Sequence, residues 1–194
     1  MTLPTKLTLL RILLTFIIMA LLFVPGWEAK AAALALFLLA SLTDWLDGLL
    51  ARRWRQTSLL GALLDPIADK VLVLGLFLAL VQLRLIPAWI VLLIAGREFL
   101  ITGVRLFAAS RHVVLSAAKE GKHKTVSQFV TILVILIALL IRERAGSPML
   151  SPDTRDLWTW AILICLSVTT AFTIVSGATF FGRHWRVLRD AVTH

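Results

Sequence analysis

The chain has 194 residues, is 59% hydrophobic and carries a formal net charge of +9, against the roughly 45–50% apolar share of ordinary soluble domains. With a mean hydropathy of +0.91 these values exclude a soluble domain and place the chain in a membrane. Continuous apolar runs without dyad alternation exclude an outer-membrane barrel, and a lone cysteine, Cys165 in an apolar run, excludes an intramolecular disulfide and has packing as its default role.

Apolar runs cover 7–24, 31–50, 71–95, 126–141 and 157–181. Each is near the ~17–25 residues of a spanning helix, or reaches that length through a polar end. The first begins with Lys6 and Arg11 like a secretory signal, but it ends "FVPGWEAK", with no clear small-x-small cleavage site, and Arg11 interrupts its apolar region. It is expected to be a retained helix. "VPGWEAK" ends the first segment and "RRWRQTS" the second. "RLIP" at 84–87 breaks the run from 71 to 104 into two helices. "SRHVVLSAAKEGKHKT" and "RERAGSPMLSPDTRD" separate the rest. The expected fold is all-α: a polytopic membrane protein of about six transmembrane helices. Short connections and the lack of an internal repeat make 1–194 a single domain, with "GRHWRVLRDAVTH" after Phe181 as a basic tail along the membrane surface.

The placement of the cations decides what the net charge means. With a cytoplasmic amino terminus, Lys6, Arg11, Arg52, Arg53, Arg55, Arg105, Arg111, Lys119, Lys122, Lys124, Arg183, Arg186 and Arg189 fall on the cytoplasmic side. Lys30, Arg84, Arg142, Arg144 and Arg155 fall on the other. This asymmetry follows the positive-inside rule and puts both termini in the cytoplasm. It also explains the charge by orientation and anionic lipid, so no nucleic-acid partner is expected. Trp27, Trp54, Trp89, Trp158 and Trp185 lie near helix ends, as in an aromatic belt.

"TDWLDGLLARRWRQTSLLGALLDPIADK" at 43–70 sets four aspartates among apolar residues. An ionisable group at bilayer depth costs about 2.5–3.5 kcal/mol, so the four must face a hydrated, protein-lined cavity. Asp44, Asp47, Gly48 and Ala51 share one helix face, and Gly61, Asp65 and Asp69 share another on the next, antiparallel helix. Unpaired, the carboxylates would repel one another. A divalent cation relieves that repulsion, and with no His or Cys in the stretch a hard oxygen shell suits Mg²⁺ or Mn²⁺. Gly48, Ala51 and Gly61 leave room for close packing or for a bulky ligand. Two alternatives stand beside this reading: structural ion pairs with Arg52, Arg53 or Lys70, and a cation or proton transporter. A transporter would place its acids near the midplane between inverted repeats, whereas here they lie toward one face and no repeat is found.

The stretch matches D-x-x-D-G-x-x-A-R-x(8)-G-x-x-x-D-x-x-x-D at Asp44, Asp47, Gly48, Ala51, Arg52, Gly61, Asp65 and Asp69, eight fixed positions over 26 residues. This is the signature of the CDP-alcohol phosphotransferases, which the chain resembles. "LPTKLTLLRI" at 3–12, "DPIADK" at 65–70, "GREFLITGVR" at 96–105 and "GKHKT" at 121–125 look like the bacterial phosphatidylglycerophosphate synthases within that family, and only 142–156 has no counterpart. The resemblance implies the CDP-alcohol phosphotransferase fold in a bacterial inner membrane, with the active site on the cytoplasmic side. The implied reaction joins CDP-diacylglycerol and sn-glycerol 3-phosphate to give phosphatidylglycerol phosphate and CMP. Another acceptor, such as serine, inositol phosphate or phosphatidylglycerol, is the alternative within the same chemistry. It further implies metal binding by Asp44, Asp47, Asp65 and Asp69, with Asp69 as general base. A carboxylate of ordinary pKa ~3.9 is a weak base, so either a raised value or a pre-aligned hydroxyl is needed. By the same analogy Gly48, Ala51, Arg52 and Gly61, with Thr8 and Arg11, face the nucleotide, and the protein is a homodimer.

The acceptor brings a phosphate that calls for cations near the metals. Arg105, Lys122 and Lys124, at cytoplasmic helix ends, are the candidates, with Arg97 beside them. Anchoring in water and headgroups is the competing role for each. Arg97 and Glu98 either pair with each other or shape that pocket.

Overall fold

The computed structural model describes the backbone of residues 3–54, 59–111, 120–145 and 152–193, and the side chains of 6–43, 67–111, 124–144 and 157–185. All regular structure among them is helical: α1 (Leu3–Phe23), α2 (Trp27–Trp54), α3 (Leu59–Gln82), α4 (Ala88–Ser110), α5 (Glu120–Ala145) and α6 (Pro152–Thr193). Helix is the form in which a single segment satisfies its own backbone in lipid. By length and composition Lys6–Phe23, Lys124–Arg144 and Leu157–Trp185 can each cross a membrane. The others carry their charges mid-helix: the aspartates on α2 and α3, and Arg97, Glu98 and Arg105 on α4.

The breaks have local causes. Pro25 and Gly26, the latter at φ 106°, part α1 from α2. After α3, Leu85 N–H donates to the Leu80 carbonyl at 3.0 Å and Arg84 N–H to that of Val81 at 2.8 Å. With Arg84 at φ 57° this is a Schellman closure. Pro87, extended at φ −76° and ψ 139°, caps α4. These features realise the expected break at "RLIP". α6 starts with Pro152 in its first turn, where the missing N–H is harmless. It runs through Phe181 to Thr193, so the expected surface tail is a continuation of the last helix. Leaving the apolar run does not end a helix whose residues still favour one.

The chain forms two compact units, Met1–Ile86 with Ile132–Trp158, and Pro87–Thr131 with Thr159–His194. In the first, α1 packs against α2 and α3. It presents Thr8, Arg11, Leu14, Thr15, Ile18 and Leu22, all buried at three- and four-residue steps. α2 answers with Lys30, Ala33, Phe37 and Ala40, and α3 with Ala68, Leu72, Leu76 and Leu80. Gly75 lets α3 come close, since a Cβ there would lie 3.1 Å from Thr15 Cγ2 and 3.2 Å from Met19 Sδ. Lys30, 5% exposed, donates to the Leu22 and Val24 carbonyls at 2.8 and 2.6 Å. An ammonium thus closes the carboxyl end of α1, where the helix dipole favours a cation.

In the second unit α6 buries Leu166, Thr169, Thr173, Ser176, Phe180 and His184, the small polar stripe common where membrane helices meet. Thr131 and Thr169 share a hydrogen bond of 2.8 Å between α5 and α6. Other described hydroxyls bond within their own helix: Thr15 donates to Arg11 O, Ser41 to Phe37 O, Thr170 to Leu166 O and Thr173 to Thr169 O, at 2.7–2.9 Å.

Candidate active site

Asp69 lies on α3, in the first unit. Its Oδ1 accepts from Arg11 Nη1 of α1 at 2.6 Å, a short charge-assisted bond. The Arg11 side chain is 1% exposed and that of Asp69 51%. A guanidinium sunk in the helix contact therefore fixes a carboxylate that still opens outward. Thr8, one turn before Arg11, is fully buried on the same face of α1. The Arg11 contact fixes where Asp69 Oδ1 points.

Asp44, Asp47, Gly48, Ala51 and Arg52 lie on the helical backbone of α2, and Gly61 and Asp65 on that of α3; their side chains fall outside the described residues. Asp44 and Asp47 are separated by about 4.5 Å of helical rise and Asp65 and Asp69 by about 6 Å. Two carboxylates per helix, on two helices that both pack against α1, would together supply a hard oxygen donor set, with Asp69 half-exposed. That chemistry fits Mg²⁺ or Mn²⁺. Among the described residues alone there is no group of three or more metal-ligating side chains.

The expected acceptor-phosphate residues lie in the second unit. Glu98 Oε1 accepts from Arg97 Nη1 at 3.0 Å and also from the Lys124 ammonium. Arg97 Nη2 donates to Ser176 Oγ of α6 at 2.5 Å. Side-chain exposures of 14% for Arg97, 16% for Glu98 and 6% for Lys124 put this cluster largely out of water. Among the described residues two cations face one carboxylate, an excess of positive charge suited to an anion. Arg97 and Glu98 pair as the sequence allowed. Arg105, two turns after Arg97 and exposed, holds its guanidinium 5.5 Å from the centre of the Phe180 ring, a cation–π arrangement. The Lys122 side chain lies outside the described residues.

The bond from Glu98 to Lys124 and the part played by Ser176 escape a reading of the sequence. Glu98 joins the cations of two helices, and Ser176 steadies Arg97 from a third. The signal for Ser176 was its place in the Thr169, Thr173, Ser176 stripe, which marks a helix contact but not its partner.

Residues 1–175 match the family described as CDP-alcohol phosphatidyltransferase. A protein of Bacillus subtilis named CDP-diacylglycerol–glycerol-3-phosphate 3-phosphatidyltransferase is 37% identical over 201 residues, covering 97% of this chain and 98% of its own. One of the same name from Escherichia coli is 40% identical over 174 residues, covering 87% and 94%. An Arabidopsis thaliana relative, named as the second enzyme of that type, is 35% identical over 202 residues, covering 96% and 81%. With its eight signature positions on α2 and α3, its all-helical fold and a match across most of its length, this chain belongs to the CDP-alcohol phosphatidyltransferase family.

Proposed function

We infer that the protein transfers the phosphatidyl group of CDP-diacylglycerol to sn-glycerol 3-phosphate, releasing CMP and forming phosphatidylglycerol phosphate. The observation that carries this reading is Asp69, a signature carboxylate anchored by a buried arginine yet half-exposed. Near-full-length likeness to relatives named for this reaction supports the choice of acceptor. Asp44, Asp47, Asp65 and Asp69 would hold the divalent cation. When bound it supplies positive charge to the diphosphate oxygens and to the departing phosphate. Gly48, Ala51, Arg52 and Gly61, with Thr8, take the nucleotide side, and Arg11 serves the site by orienting Asp69.

Asp69 accepts the proton of the glycerol hydroxyl as its oxygen attacks the phosphorus that bears diacylglycerol. The bond from that phosphorus to the CMP oxygen breaks. Arg97, Lys124, Lys122 and Arg105 receive the acceptor's own phosphate, with Glu98 and Ser176 positioning the first two. We take 1–194 as one domain, because the family match runs through both units. The cation asymmetry supports a multi-pass protein of the bacterial cytoplasmic membrane, with its termini and active site on the cytoplasmic side. A homodimer is the proposed assembly, by analogy with the family.

The test is an assay of purified protein with CDP-diacylglycerol, Mg²⁺ and one alcohol at a time. CMP released with glycerol 3-phosphate and not with serine, inositol phosphate or phosphatidylglycerol is the expected result. Release with another alcohol moves the chain to a different member of the same chemistry. No release with any acceptor, together with metal-dependent ion flux in liposomes, overturns the enzyme reading in favour of transport.

A further inference from the structure

The far end of the first unit contains a cavity unrelated to the aspartates. It has a volume of about 320 Å³ and is lined by Leu22, Leu83, Leu85 and Leu139 with Lys30, Arg142 and Glu143. Leu83 is 14 residues beyond Asp69, about 21 Å along a helix axis, so the cavity and the signature face opposite ends of α3. Its polar members are specific. Lys30 is buried and spends two of its three N–H donors on the Leu22 and Val24 carbonyls. Arg144 is held 5.5 Å over the Trp27 ring, whereas Arg142 lines the cavity. Among the described residues Arg142 and Glu143 form no ion pair. Two cations and one carboxylate leave the lining with a charge of +1, beside four leucines.

We propose that this cavity binds the headgroup of a monoanionic phospholipid whose alcohol carries free hydroxyls. The phosphate meets Lys30 and Arg142, a headgroup hydroxyl donates to Glu143, and the leucines take the first methylenes of the acyl chains. The volume is at the small end of the ~300–1,000 Å³ typical of ligand sites, enough for a headgroup while the chains remain in the bilayer. A free phosphate would satisfy the cations but gain nothing from the leucines. A zwitterionic choline headgroup would bring no net charge to the +1 lining and no hydroxyl to Glu143.

The test is native mass spectrometry of the full chain released from mixed micelles. Phosphatidylglycerol, phosphatidylcholine and inorganic phosphate are the probes, and CMP release in phosphatidylcholine micelles is the control for fold. The wild type should retain phosphatidylglycerol in preference to phosphatidylcholine. Arg142→Gln should reduce that retention on the order of tenfold, the loss of one charge-assisted contact, with CMP release unchanged. Lys30→Met should do the same. Should Lys30→Met fail to fold through loss of the α1 closure, Arg142→Gln at an exposed position decides alone. Equal retention by wild type and Arg142→Gln overturns the proposal. So does displacement of the lipid by equimolar inorganic phosphate, which means a simple anion site, or equal retention of phosphatidylcholine, which means an apolar groove.

Discussion

Arg11 is among the largest fully buried side chains in the protein, and it is charged. Its partner is the half-exposed Asp69, so the pair ties the interior of the α1 contact to the surface proposed as catalytic. Asp69→Asn keeps the shape and an acceptor oxygen but removes the base, and turnover should fall by at least about 10²-fold. Circular dichroism and gel filtration should remain those of the wild type; full activity in the purified variant would remove Asp69 from the role. At the acceptor end the contrast is between binding and chemistry. Lys124→Ala should raise the KM for glycerol 3-phosphate by about tenfold with a smaller effect on kcat, as loss of a contact to a phosphate requires. Arg105→Ala should act in the same direction. If its KM is unchanged, the guanidinium over Phe180 is an anchor. Glu98 was visible in the sequence only as an acid beside Arg97. Its bond to Lys124 depends on α4 meeting α5 at that level, which no spacing along one helix reveals.

At the scale of elements, the turn after α3 invites a gain of stability. Arg84 occupies the left-handed position of the Schellman closure at φ 57°, where a β-carbon costs about 1 kcal/mol and glycine does not. Arg84→Gly should raise the unfolding temperature in detergent, with no change in KM. Gly75 should respond in the opposite sense. A valine there must displace Thr15, whose branched side chain is packed against α3, and should destabilise the protein by about 1–3 kcal/mol. Alanine should be milder, because the Met19 thioether can shift. The break at 84–87 was legible because proline and a short polar step interrupt an apolar run. The importance of Gly75 was not, since a glycine within a membrane helix shows its role only once the facing helix is known. The same reasoning separates the signature glycines, which stand in a fixed pattern with the aspartates, from Ser176. The extent of α6 was misjudged because hydropathy reports where a segment leaves lipid, and the backbone hydrogen bonds continue past that point.

For the whole molecule, the proposed donor set of four carboxylates predicts complete loss of activity with chelator and recovery with Mg²⁺ or Mn²⁺, measured as CMP release. The proposed orientation predicts that Arg53→Cys, in a Cys165→Ser background, reacts with an impermeant thiol reagent only from the cytoplasmic face, and Arg144→Cys only from the other. The reverse pattern would invert the topology. The way hydroxyl groups are served within the helices also bears on how such a chain is made. Thr15, Ser41, Thr170 and Thr173 carry their acceptor one turn back on the same segment. These four hydroxyls can therefore leave the translocon for lipid already bonded. The link between Thr131 and Thr169, like that between Arg97 and Ser176, must wait for two segments to find each other. Biogenesis can then proceed as independent insertion followed by association, with that hydroxyl pair forming in the second stage.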